Sequence, residues 1–175
     1  MSGLIDIRSV GSEDDVVDAL ADVLVDCVEG GASVGFLSPL TLERAAAFWR
    51  TVLASADRDE RVVLLAADST TGDVLGTVQL VLASAENQPH RADISKMLVH
   101  QRARRRGVGE LLMREAEDAA RSRHRTLLVL DTATPEAERL YTRLGWERAG
   151  EIPDYALFPD GSLVQTTFFF KRLAR

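Results

Sequence analysis

Residues 91–145 run strand, basic glycine turn, helix, strand, helix, and no other stretch limits the possible folds as strongly. RADISKMLV (91–99) reads as a strand. From about Val108, Leu111, Leu112, Ala116, Ala119 and Ala120 recur at helical spacing as an inner face. TLLVLD (126–131) is short and almost wholly apolar, the texture of a central strand covered on both faces. Thr134 followed by Pro135 makes an N-cap and N1 pair, and Gly145 closes the helix they open.

The flanks contain no second crossover. LIDIR (4–8) predicts a first strand, and Ser12 with Asp15 a capping box for a helix carrying Val16, Val17, Leu20, Leu24, Cys27 and Val28 to the Gly30-Gly31 stop. Residues 41–56 predict a second helix with Leu42, Ala45, Trp49, Val52 and Leu53 on one face. VVLLAA (62–67) and VLGTVQLVL (74–82) predict a hairpin across STTGD. The last strands are expected at 146–152 and 166–173, joined by a loop containing the turn tripeptide PDG. The order β-α-α-β-β-β-α-β-α-β-β gives an α/β chain of mixed α+β type, a mixed sheet flanked by helices.

At 175 residues the chain suits one domain, 1–175, rather than two. Its opening reads as a strand, not a charged-then-apolar leader, and no apolar run approaches the length of a membrane span. Cys27 is the sole cysteine, which excludes an internal disulfide and suits a reducing, cytoplasmic setting. Three scattered histidines beside it argue against a structural zinc, and no metal is expected.

The net charge is −6, unevenly distributed. Residues 100–125 hold eight of the 21 basic residues and four of the 27 acidic ones, leaving 13 against 23 elsewhere, a balance of −10. An acidic body with one basic segment argues against nucleic acid, which needs a broad positive footprint. A compact polyanion suits it better.

That segment is built for one. Arg104, Arg105, Arg106, Gly107, Val108 and Gly109 stand between a strand and a helix. A helix start presents unpaired N–H groups and the positive end of the macrodipole. Glycines let a phosphate approach the backbone, and arginines bring forked donors. Glu110 after Gly109 rules out a Walker loop, and Leu112 stands where a dinucleotide fingerprint needs its third glycine. A diphosphate cradle of another kind remains.

The turn resembles the phosphate signature of the GNAT superfamily of acetyl-CoA-dependent N-acetyltransferases, Gln or Arg, two residues, Gly, one residue, Gly or Ala, matched here from Arg104 to Gly109. Met97, Leu98 and Val99 stand where the family's fourth strand offers backbone groups to pantetheine and thioester. AERLYTRLGW, from Ala137 to Trp146, resembles the second CoA motif, with Tyr141 near the thiol. The likeness implies a GNAT-like, mostly antiparallel seven-stranded sheet with a splayed central pair. It also implies acetyl-CoA as co-substrate. GASVGFL (30–37), TLLVLDT (126–132) and GEIPDYALFPDGSL (150–163), with the FFFK end, further resemble the tabtoxin-resistance acetyltransferase, which acetylates a small toxin amino acid. One departure is Thr134, where many members carry an asparagine contacting pantetheine.

Acetylating an amine needs a group to take the ammonium proton, since an amine of pKa about 10 is protonated at neutral pH. Asp93, four residues before Met97, is the first candidate by its place in the resemblance; Asp131, ending the neighbouring strand, is the second. Tyr141 is the candidate acid for the departing thiolate, and the N–H near Met97 would polarise the acetyl carbonyl. Each also has a plain reading: Asp93 as a strand residue beside Arg91, Asp131 as a turn cap, Tyr141 as core. Phe36, Trp49 and Tyr155 read equally as acceptor pocket or core. The expectation is acetyl transfer to a small-molecule primary amine by direct attack in a ternary complex. A non-catalytic CoA-binding module and a protein N-terminal or lysine acetyltransferase remain alternatives. A homodimer paired through the C-terminal strands also stays open.

Overall fold

A computed structural model describes residues 4–174. The elements are β1 (Ile5–Val10), α1 (Val17–Glu29), α2 (Leu42–Asp57), β2 (Arg61–Asp68), β3 (Val74–Leu82), β4 (Arg91–Val99), α3 (Val108–Ser122), β5 (Leu127–Thr132), α4 (Pro135–Arg143), β6 (Glu147–Leu157) and β7 (Leu163–Arg172), with a 3-10 turn at Gln101–Ala103. All seven strands form one sheet in the order β1-β2-β3-β4-β5-β7-β6. Every pairing is antiparallel except β4 with β5, the parallel pair that the α3 crossover joins.

The apolar strands are apolar because both sheet faces are covered. In β2, Val62, Leu64 and Ala66 join the core under α3 and α4, while Val63 and Leu65 join the core under α1 and α2. Period-2 alternation thus yields a continuous apolar run. Gly76 of β3 lies so close to its neighbour that a Cβ there would sit 2.5 Å from the Leu98 carbonyl oxygen.

Two features of β4 make the opening. Its ladder with β5 covers only Arg91, Ala92 and Asp93 against Leu127, Leu128 and Val129, after which the strands part. Its ladder with β3 shifts register between Thr77 and Gln79, where Lys96 takes a φ of 49°. Ala92 and Ile94 therefore face α3 and α4, whereas Leu98 faces α1 and α2.

Several local expectations are corrected. Ser12 does not cap α1, which begins at Val17 without a side-chain cap; its N–H and hydroxyl donate instead to the Asp57 carboxylate at the end of α2. Leu111 is 40% exposed, and the inner face of α3 is Val108, Leu112, Met113, Ala116, Glu117 and Ala120. β6 and β7 run past their predicted ends to Leu157 and from Leu163. β6 continues through Pro153 because it is an edge strand, and a register shift between Ile152 and Ala156 absorbs the proline. Thr41 and Thr134 do cap their helices, accepting from the N–H groups of Arg44 and Ala137.

Candidate active site

The basic turn is anchored at several points. The Gln101 N–H donates to Asp26 Oδ2 at 2.7 Å, and His100 lies 3.4 Å from Asp22 and 3.3 Å from Asp26, both on α1. Arg106 pairs with Asp68 at 3.3 Å. Arg104 Nε donates to the Val99 carbonyl at 3.4 Å, an oxygen that also accepts from the Cys27 thiol. Burial pushes that thiol up to about 11. Arg105 makes no hydrogen bond or ion pair among the described residues, and its guanidinium is the free fork of the three.

Arg105 and Gly107 turn the chain with φ of 61° and 83°. Gly107 then occupies the N-cap of α3 without a side chain to cap it, so the first-turn N–H groups stay open to an anion. A Cβ on Gly107 would meet nothing within 4 Å. Gly109 also serves packing. A Cβ there would lie 3.3 Å from Leu140 and 3.7 Å from Met97, so its bareness lets α3 pack against α4 and β4. Val108 and Leu98 are core residues, Met97 and Ala137 pack at its margin, and Val99 offers the carbonyl already described. Thr134 spends its hydroxyl on the Ala137 N–H at 3.4 Å.

Asp93 holds the last paired position of β4 against β5, Asp131 stands two residues beyond that ladder on β5, and Tyr141 lies on α4. Asp93 is half-buried and pairs with Arg91 at 2.7 Å. Burial raises its carboxyl above the ordinary range, Arg91 opposes that shift, and the charge of Asp131 adds to it. Asp131 is exposed and accepts from the Thr166 hydroxyl at 2.8 Å. Tyr141 is 5% exposed, with ring centroids 6.1 Å from Trp146 and 6.0 Å from Phe169. Burial pushes its phenol far above the ordinary value, Asp131 again adding. Asp131 is thus felt by both other groups.

Lys96 was not singled out by sequence reasoning. Its ammonium stands 5.8 Å from the centroid of Phe48. Burial lowers its pKa, Asp131 raises it, and Arg61 lowers it further. The available signal was its register: it shares even-numbered positions with the core residues Ala92 and Ile94, so a regular pleat would have buried it among apolar neighbours. Of the undecided aromatics, Trp49 is fully buried core, Phe36 packs edge-on to Phe48 at 5.2 Å, and Tyr155 is 51% exposed against Phe168.

A mixed sheet opened between two parallel strands beside an uncapped helix start is a fold this chain shares with several solved acetyltransferase structures. Residues 27–146 match the Acetyltransferase (GNAT) family. Among similar solved structures is an N-acetyltransferase from Staphylococcus aureus Mu50, with a TM-score of 0.81 and 17% identity over 98% of this chain and 99% of that one. Another is a ribosomal-protein-alanine N-acetyltransferase from Brucella melitensis, at 0.78 and 23% over 96% and 99%. A third is a phosphinothricin acetyltransferase from Sinorhizobium meliloti in complex with acetyl-CoA, at 0.80 and 17% over 99% and 90%. The chain belongs to the GNAT acetyltransferase family, whose acetyl donor is acetyl-CoA. Among the described residues no cluster suited to a metal ion occurs, and no helix is long and apolar enough to cross a membrane.

Proposed function

We propose that the protein is a single-domain N-acetyltransferase acting on a primary amine of a small molecule, by direct attack within a ternary complex. The observation that carries this reading is the parting of β4 and β5 beside the uncapped start of α3, with Asp93 on one of the two strands and Asp131 on the other. Acetyl-CoA supplies an acetyl group already activated as a thioester. Arg105 and the N–H groups at Gly107, Val108 and Gly109 hold its diphosphate, with Arg104 and Arg106 shaping the turn. Met97, Leu98 and Val99 on one side and Thr134, Ala137 and Tyr141 on the other flank its thiol arm.

Asp131 holds the substrate ammonium at the mouth. One of its protons passes to Asp93, whose carboxyl burial holds above its ordinary value. The amine nitrogen then bonds to the acetyl carbon as the carbon–sulfur bond breaks; Tyr141 gives its proton to the departing thiolate, and the second proton shed by the amide nitrogen restores the phenol. A phenol kept neutral by burial is available as that donor at every working pH. The resemblance that points to toxin amino acids supports resistance as the setting; the lone Cys27 suits the cytoplasm, and the edge strand β6 with β7 offers a face for a homodimer. The test is release of CoA thiol over a panel of amines. Transfer to small amines, lost in Asp131→Asn but with acetyl-CoA binding kept, is the expected result. Activity on peptide N-termini or lysines alone would replace the small-molecule acceptor.

A further inference from the structure

Two lysines occur in the chain, Lys96 and Lys171, among nineteen arginines. Lys171 is satisfied, its ammonium donating to both oxygens of Glu117 at 2.7 and 2.8 Å and to the Leu144 carbonyl at 2.7 Å. Lys96 has no hydrogen bond or ion pair among the described residues. The β4 bulge turns it away from the α3 side and into the gap beside α2 and the loop at Gly35. A Cβ on Gly35 would lie 3.6 Å from Nζ, and the Phe48 ring forms another wall. Asp131 is close enough to favour the ammonium without pairing with it.

A half-buried ammonium without an acceptor is a costly arrangement. One compact anion placed between Lys96 and the mouth would complete it with charge-assisted hydrogen bonds. Asp131, on the other side, suits a cation. A cation-seeking and an anion-seeking group flank one opening, with the Phe36–Phe48 wall beside them.

We propose that Lys96 docks the carboxylate of a zwitterionic acceptor, an amino acid whose reacting amine is held by Asp131. This rests on the acetyl-transfer reading and narrows it, because it makes the acid group of the substrate, not its amine alone, the basis of selection. Simple alkylamines and amino-acid amides are then poor acceptors.

The experiment compares matched pairs, each an amino acid and its carboxamide, by CoA thiol release at saturating acetyl-CoA. The full chain is used as wild type, Lys96→Met and Lys96→Arg. A hydrogen bond between charged groups corresponds to a preference of about 10- to 100-fold. Wild type should favour the acid member by that factor in kcat/KM. Lys96→Met should bring the acid member down to the level of its carboxamide, through KM, and Lys96→Arg should recover part of the difference. Equal rates on acid and amide by wild type, or equal losses on both in Lys96→Met, would overturn the proposal. If Lys96→Met does not fold, judged by its thermal midpoint with acetyl-CoA, the wild-type and Lys96→Arg preferences decide. If no amine is acetylated although acetyl-CoA raises the wild-type midpoint, the transfer reading falls by itself. Lys96 is then judged by whether amino acids, but not their amides, raise that midpoint further.

Discussion

The buried Thr166 of β7 aims Asp131 of β5: its hydroxyl donates to Oδ2 at 2.8 Å and lies 3.2 Å from the Thr132 carbonyl. The carboxylate at the mouth is therefore held from the adjacent strand. Thr166→Val keeps the shape and removes the donor. Its kcat/KM for amines should fall about tenfold or more, the scale of a hydrogen bond to a charged group, with acetyl-CoA affinity unchanged. A steady-state comparison of both substrates checks this, and unchanged amine kinetics would leave Thr166 a packing residue.

Asp93 must be ionised to accept a proton, so activity should fall as pH drops through its raised pKa. The stability sign is opposite. A carboxyl whose folded pKa is raised favours folding in its protonated form, an advantage present below the unfolded pKa and lost as pH rises through the folded one. Asp93→Asn should therefore lower kcat and remove the acidic limb of the rate profile without lowering the thermal midpoint at neutral pH. A midpoint that falls sharply would mean that the Arg91 pair, not burial, dominates at this site.

Much of this was legible in the sequence because local rules and packing agreed. β3 and β4 fall where alternation places them, and Thr134 with Pro135 marks the start of α4. The misses share one cause, contacts between residues far apart in the chain. Ser12 is claimed by Asp57, 45 residues away. β6 passes through Pro153 because β7 alone pairs with it. Within the candidate site, Asp93 and Asp131 were legible as carboxylates on the two strands that part, but Lys96 was hidden because a pleat that breaks in mid-strand leaves no period to read. The glycines of the turn were visible as a motif, yet only packing separates Gly107, which turns the chain, from Gly109, which admits Leu140.

Arg105 and Arg106 should separate in their effects. Arg105→Ala removes an unpaired fork and should raise the KM for acetyl-CoA about tenfold, a charge-assisted hydrogen bond's share, with little change in midpoint. Arg106→Ala also releases Asp68 and should lower the midpoint. Titration with acetyl-CoA and thermal melts distinguish the two, and identical behaviour would contradict the division of labour.

Tyr141→Phe should reduce kcat about 10²-fold if the phenol assists thiolate departure, the lower end of what positioned proton donors contribute. Its core packing against Trp146 and Phe169 is retained, so the midpoint should hardly move. A lower midpoint with unchanged kcat would return Tyr141 to the core.

Glu117 is 6% exposed and gathers Lys171, Arg121 and the Trp146 indole, which donates to Oε1 at 3.2 Å. Glu117→Ala strands the Lys171 ammonium and should destabilise the protein by about 3 kcal/mol, as breaking a buried pair does. Urea denaturation measures it, and a loss below about 1 kcal/mol would show that the surroundings relax.

The three-residue contact between β4 and β5 also has a mechanical meaning. Among the described residues it is the sole ladder joining strands β1–β4 to the β5-β7-β6 half, so the sheet has a seam through its middle where few backbone bonds must break to open it. Amide exchange should divide along that line, with the Leu128 and Val129 amides protected less than those of β2 and β3. Any molecule that grips both sides of the gap would act as a clasp, slowing exchange in strands it never touches.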